Sequence, residues 1–165
     1  MNVVDQHVLH EEIPLQSQDG HAYTLIARIP AHPSSALLWI PALGVAARHY
    51  LPFAEALATR GVAVFVHEWR GNGSSSLRAD RRNDWGYRDL LGTDIPLSHA
   101  ALRRRLPGIP HMIGGHSLGG QLATCHAGQA PDAFASLWLV GSGTPYWRTF
   151  PAPRGYALPF FYQFA

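Results

Sequence analysis

The residues in this chain with the types and spacing to do chemistry centre on one serine. It lies in Pro107 to Gly128, PGIPHMIGGHSLGGQLATCHAG, whose middle, Gly115-His116-Ser117-Leu118-Gly119, has the form G-x-S-x-G. Between a strand and a helix, that pattern makes a sharp turn that lifts the Ser117 hydroxyl clear of a sheet, where it can act as a nucleophile. The turn strains the serine backbone. It also crowds the positions two before and two after, so Gly115 and Gly119 stand where a Cβ would not fit. Gly114 and Gly120 widen the same clearance. The following helix points its positive end at any oxyanion formed there. Chemistry of this kind is acyl transfer from a small-molecule ester or amide.

Such a hydroxyl needs a base within about 3 Å. After Ser117 the chain has only His126 and Asp132, and residues 133–165 contain neither a histidine nor an acid. His126 lies on the same predicted helix, and at ~1.5 Å rise per residue it falls roughly 13 Å away, too far to serve. His116 adjoins Ser117, but neighbouring side chains diverge at such a turn. His116 and His49 therefore read as possible pocket walls. His67 ends a central strand near the rim where open sheets of this class bind ligands, and reads as a satisfied structural histidine. His7, His10, His21, His32, His99 and His111 read as surface or hairpin residues. No pair has ligand spacing backed by cysteines or carboxylates, so neither a metal nor a cofactor is expected.

Positioning these groups requires strands and helices in alternation. Residues 8–15 and 22–30 read as an antiparallel hairpin at one sheet edge, turned at Gln18-Asp19-Gly20, with Tyr23, Leu25 and Ala27 facing inward. Ala36–Ile40 and Val62–Val66 are continuous apolar runs suited to buried parallel strands. A helix is predicted from about Leu51 to Arg60, closed by Gly61. A helical stretch from roughly Tyr87 to Leu106 leads to the strand His111–Gly114, and a helix follows over Gln121–Ala127. Ala135–Gly141 reads as a last parallel strand. The alternation from Ala36 onward predicts a mostly parallel α/β sheet.

Composition narrows the possibilities. With 165 residues and 47% apolar content, the chain has enough for one core. The lone Cys125 excludes an internal disulfide framework, fits a reducing compartment such as the cytoplasm, and reads as a small buried thiol. No signal peptide is visible, and no apolar run approaches the ~18 residues of a membrane span. A net charge of +2 is mild, and Arg78, Arg81 and Arg82, like Arg103, Arg104 and Arg105, read as solvated faces rather than a nucleic-acid surface. The run Arg70-Gly71-Asn72-Gly73-Ser74-Ser75 lacks the third glycine and following acid of a dinucleotide loop. Arg70 is expected to hold its own turn through backbone carbonyls.

Taken together, these segments resemble the α/β-hydrolases, in particular prolyl-aminopeptidase-like and monoglyceride-lipase-like members. Pro41-Ala42-Leu43-Gly44 occupies the place of that family's His-Gly-x-Gly loop, with Pro41 and Ala42 standing for the usual His and Gly. Glu68-Trp69-Arg70-Gly71-Asn72-Gly73-Ser74 is similar to the Asp-x-Arg-Gly-x-Gly turn after the fourth strand, and Asp84-Trp85-Gly86 to a segment before the elbow helix. The resemblance covers about Ala36 to Gly143. It implies an α/β-hydrolase fold with an N-terminal antiparallel hairpin, lacking the last strands, over residues 1–143, and the start of a lid or tail over 144–165. It further implies Ser117 as nucleophile, with the Leu43 and Leu118 N–H groups as an oxyanion hole. The family's acid and histidine come from two later strands, so the expectation is a serine hydrolase incomplete in this chain. The alternative is a non-catalytic remnant or interaction module that pairs through the edge left uncovered at ASLWLVG, which would make a homodimer. The aromatic tail, with Trp147, Phe150, Tyr156, Phe160, Phe161, Tyr162 and Phe164, is expected to pack against a core or partner.

Overall fold

The computed structural model describes residues 7–143, 148, 151–153, 156–157 and 159. Apart from Tyr156, which is exposed, the aromatic residues of the expected tail lie outside these. Six strands form one sheet in the order β1-β2-β4-β3-β5-β6: Val8–Gln16, Ala22–Pro30, Val62–Val66, Ser35–Ile40, His111–His116 and Ser136–Val140. The first two make the antiparallel edge hairpin, and β2 also runs antiparallel to β4. All remaining pairings are parallel.

Side-chain alternation along the central strands feeds two cores. In β3, Ala36, Leu38 and Ile40 join Ala63 and Phe65 of β4 on one face, together with Leu102 of α3 (Ile95–Arg105) and Leu122 and Ala123 of α4 (Leu118–Gln129). Leu37 and Trp39 join Val64 and Val66 on the other, covered by Ala54 of α1 (Leu51–Ala58). Both faces are dry, which is why these strands read as unbroken apolar runs. Leu37, Leu38, Ile40, Val64 and Phe65 are all fully buried. Each such side chain contributes about 1.5–3 kcal/mol relative to exposure.

The helix begins just after Ser117, at Leu118. Two elements differ from expectation. The strand before Ser117 continues through Gly115 and His116, which pair with Leu139 and Val140 of β6. The stretch from Tyr87 is not one helix: a short turn α2 (Tyr87–Asp89) passes into a π-helical turn, Leu90–Asp94, before α3. Pro96 lies in the first turn of α3 and has neither an N–H to donate nor room against the carbonyl four residues back. Widening the turn ahead of it relieves both constraints, and it rotates Asp94 into the interior with no exposure at all. Cys125 is exposed rather than buried. Thr124, Cys125 and Gly128 share the outer face of α4, while Leu122, Ala123 and His126 take the inner one.

Candidate active site

The chain leaves β3 for β4 on one side of the sheet and then crosses back to β5 on the other. The strand order therefore reverses between β3 and β5, whose ends meet at Ile40 and Gly115. Open α/β sheets bind their ligands in the crevice outside the strand ends at such a point. Two loops flank it here, Pro41–Gly44 after β3 and Ser117 after β5.

Ser117 has φ 54° and ψ −124° and is the one non-glycine residue with positive φ among those described. A backbone of this kind costs about 1–3 kcal/mol and persists only when its surroundings impose it. Its N–H donates to the Val140 carbonyl at 2.9 Å, and its carbonyl accepts from Gly120 at 3.1 Å and Gln121 at 3.3 Å, the first closures of α4. The flanking glycines are obligatory for packing. A Cβ on Gly115 would fall 2.4 Å from the Gly119 carbonyl carbon, and one on Gly119 would fall 2.2 Å from the Pro41 oxygen and 2.3 Å from that of Ile40. The elbow is thus pressed directly onto the loop that follows β3.

That loop is clamped. The Pro41 carbonyl accepts from Trp69 Nε1 at 3.0 Å, and the N–H of the same peptide, on Ala42, donates to Tyr50 Oη at 3.0 Å. The Ala42 carbonyl accepts from Val45 at 3.1 Å, closing a turn with Leu43 at its exposed tip. Glu68, buried at 2% exposure, accepts from the Ala47 N–H at 3.0 Å and the Ser74 N–H at 3.2 Å. It joins this loop to the turn after β4.

All ten histidines are described, and none is hydrogen-bonded to Ser117. The His116 ring turns aside to bond Tyr50 Oη through Nδ1 at 2.9 Å. His49 is exposed on the 3-10 turn Ala47–Tyr50, and His7, His10 and His32 are exposed as well. His67 is fully buried just past the end of β4 and bonds Ser98 Oγ through Nδ1 at 2.9 Å, while its Nε2 has no hydrogen-bond partner among the described residues. His21 and His99 are not surface residues. They are 1% and 6% exposed, the first against Ser75 and the second paired with His126 at 3.2 Å and stacked on Phe134. His111 is half-buried and bonds the Leu106 carbonyl. Their partners lie far off in the chain, so no local pattern announces them. Among the described residues no three His, Cys, Asp or Glu side chains are grouped to hold a metal.

The family model for "Serine aminopeptidase, S33" matches residues 31–163. The chain belongs to this family of α/β-hydrolases. Solved structures agree in fold. A lipase in its open form superposes with a TM-score of 0.70 at 24% identity, over 95% of this chain and 58% of that one. The thioesterase domain from the curacin biosynthetic pathway gives 0.67 at 22%, over 94% and 53%, and a thermostable carboxyl esterase from Bacillus coagulans gives 0.67 at 19%, over 93% and 49%. The chain thus spans about half the length of the solved structures it matches. No curated protein is similar to it in sequence. No helix among the described residues is long and apolar enough to cross a membrane.

In this hydrolase-family chain a Ser–His–Asp arrangement lies outside the crevice. Ser75 Oγ is 3.0 Å from His21 Nε2, and His21 Nδ1 stands 3.5 Å from Asp94 Oδ1. It is structural. None of the three is more than 5% exposed, and Ser75 Oγ accepts from the Gly71 and Leu77 N–H groups. Arg70 completes the cluster with paired bonds to Asp94, 2.6 Å from Nε and 2.9 Å from Nη2, and a 2.7 Å contact to Asp19. Its partners are carboxylates, not the backbone carbonyls expected of it. Burial alone would push the Asp94 carboxyl up, but His21 and Arg70 outweigh it and hold it below its usual range.

Burial pulls His67 down to about 4 and, reinforced by the charge of His126, His99 likewise to about 4. Both rings are therefore neutral in the folded protein at pH values where an unfolded chain already takes up protons. Stability should be fully present above an unfolded histidine pKa of about 6.5 and be lost progressively as pH falls towards 4. A circular-dichroism melting series from pH 8 to 4 should show the midpoint falling through that window. His67→Asn, which can still bond Ser98, should flatten the fall.

Proposed function

We propose that the protein is a serine hydrolase of ester or amide bonds. Ser117 is the nucleophile, and the N–H groups of Leu43 and Leu118 hold the oxyanion. The observation that carries this reading is the strained, positive-φ backbone of Ser117 at the head of α4, on the strand-order reversal of the sheet. Strain of that kind clusters where function needs it. The Leu118 amide belongs to the first helical turn, whose N–H groups have no intrahelical acceptor, and the Leu43 amide tips the clamped loop beside it. In the reaction the Ser117 oxygen bonds the acyl carbon, and the carbonyl electrons move onto an oxygen held by these donors. Collapse expels the alcohol or amine with a proton and leaves an acyl-serine for water to cleave. None of the chain's ten histidines, all described, is hydrogen-bonded to Ser117, and this reading assigns the base to none of them.

A fluorophosphonate probe tests the nucleophile. Labelling of the 165-residue chain should be slow, map to Ser117, vanish in Ser117→Ala, and rise with pH without levelling, because hydroxide replaces the base. A plateau with a midpoint near pH 7 would reveal a histidine acting on Ser117 from within the chain. Absence of label at Ser117 even at high pH overturns the reading.

One observation favours a second reading, an interaction module pairing through β6. Leu137, Leu139 and Val140 are 38%, 51% and 53% exposed on that uncovered edge. Under it, sedimentation should report a dimer that Leu139→Lys dissolves, with no labelling of Ser117.

A further inference from the structure

Tyr50 is a residue that no motif singled out, yet it touches both sides of the crevice. Its hydroxyl meets Ala42 of the clamped loop and His116, the neighbour of Ser117. We infer that the chain of hydrogen bonds from the Ala42 N–H through Tyr50 Oη to His116 Nδ1 is a positioning device. It holds the loop that presents the Leu43 amide in register with the nucleophile elbow. This rests on the serine-hydrolase reading above for its purpose, though not for its existence.

The Ala42 amide can only donate, so Tyr50 Oη accepts from it. The other partner of Tyr50 Oη among the described residues is His116 Nδ1. In the device the phenol proton goes to that nitrogen, so Nδ1 is bare and the imidazole proton stands on Nε2. The bonds then run one way and polarise each other. The geometry around them is fixed independently. Tyr50 closes the 3-10 turn Ala47–Tyr50, packs its ring 6.0 Å from that of Trp39, and meets the His116 ring edge-on at 6.3 Å.

The peptide between Pro41 and Ala42 is held at both poles, its oxygen by Trp69 and its N–H by Tyr50. Removing the Tyr50 hydroxyl frees one pole. The peptide can then rotate about the Trp69 bond, and the Leu43 amide one peptide further on loses its aim. Tyr50 touches no reacting atom in this scheme. It acts through the loop.

Three variants and three measurements test the device in the full chain. Tyr50→Phe keeps the ring against Trp39 and removes only the oxygen. His116→Asn keeps a hydrogen-bonding group near the place of Nδ1, whereas His116→Phe does not. Nitrogen-15 spectra of the wild type should show His116 with its proton on Nε2, and Tyr50→Phe should abolish that preference. Amide exchange at Ala42 should quicken about fivefold to tenfold in Tyr50→Phe and His116→Phe, the loss of one net hydrogen bond, and be largely restored in His116→Asn. Exchange at Ala63 in the core strand should stay unchanged. The maximal labelling rate of Ser117 should drop about tenfold in Tyr50→Phe, with probe affinity retained. A wild-type His116 protonated on Nδ1, or Ala42 exchange that does not move or moves only in step with Ala63, overturns the proposal and leaves Tyr50 as packing. If the spectral and exchange results hold while Ser117 never labels, the device stands and the hydrolase reading falls.

Discussion

Asp94→Ala should remove about 3–5 kcal/mol of stability, a large share of the total for a domain of this size. The change strands the Arg70 guanidinium, whose side chain is 4% exposed, without the carboxylate that accepts two of its N–H bonds. It also removes the charge facing His21. The same arginine provides an internal control. Its other carboxylate, Asp19, is 46% exposed, so Asp19→Ala should cost only about 1 kcal/mol or less. Replacing both Arg70 and Asp94 with leucine should recover part of the loss, because an apolar pair is cheaper to bury than a lone charge. Urea unfolding of the four proteins measures each quantity. Equal costs for Asp94→Ala and Asp19→Ala would contradict the burial argument.

Gly119→Ala should cost about 3 kcal/mol or more, at the upper end of what added volume does in a packed interior. The new methyl would collide with the Pro41 and Ile40 oxygens, and these are main-chain atoms that cannot swing aside. Relief requires the elbow to part from the loop after β3, so labelling of Ser117 should be lost along with the stability. Gly128→Ala, nine residues on in the same helix, meets nothing within 4 Å. There the substitution should stabilise by about 0.5–1 kcal/mol, the usual helix preference for alanine over glycine. Opposite signs from one chemical change, read by thermal or urea unfolding, separate crowding at the elbow from any general effect of glycine in α4.

The elements that run on local rules were legible in the amino-acid order. The hairpin edge, the two-faced burial of Ala36–Ile40 and Val62–Val66, and the crowded glycines around Ser117 all stand where alternation, apolar runs and steric demand put them. The misreadings share another cause. His21, His99 and Arg70 look like ordinary surface or turn residues until their neighbours are known, and Cys125 looks like a buried thiol until the inner face of α4 is known. His21 meets Ser75 54 positions away, His99 meets His126 27 away, and Arg70 meets Asp94 24 away. Pro96 stands just after the π-helical turn that holds Asp94, and the reading of one helical stretch from Tyr87 to Leu106 passed over it. Tyr50 gave no signal, since an aromatic residue ahead of an amphipathic helix reads as packing alone.

By itself the sequence determined the layered α/β architecture and the bend at Ser117. Both are written in local pattern, the apolar periodicity of the strands and the run of glycines around one serine. Only the tertiary structure decided which polar side chains meet: Tyr50 with His116, Arg70 with Asp94, and His99 with His126. A buried polar group is tolerated only beside a partner, and that partner is chosen by how strands and helices stack, not by spacing along the chain.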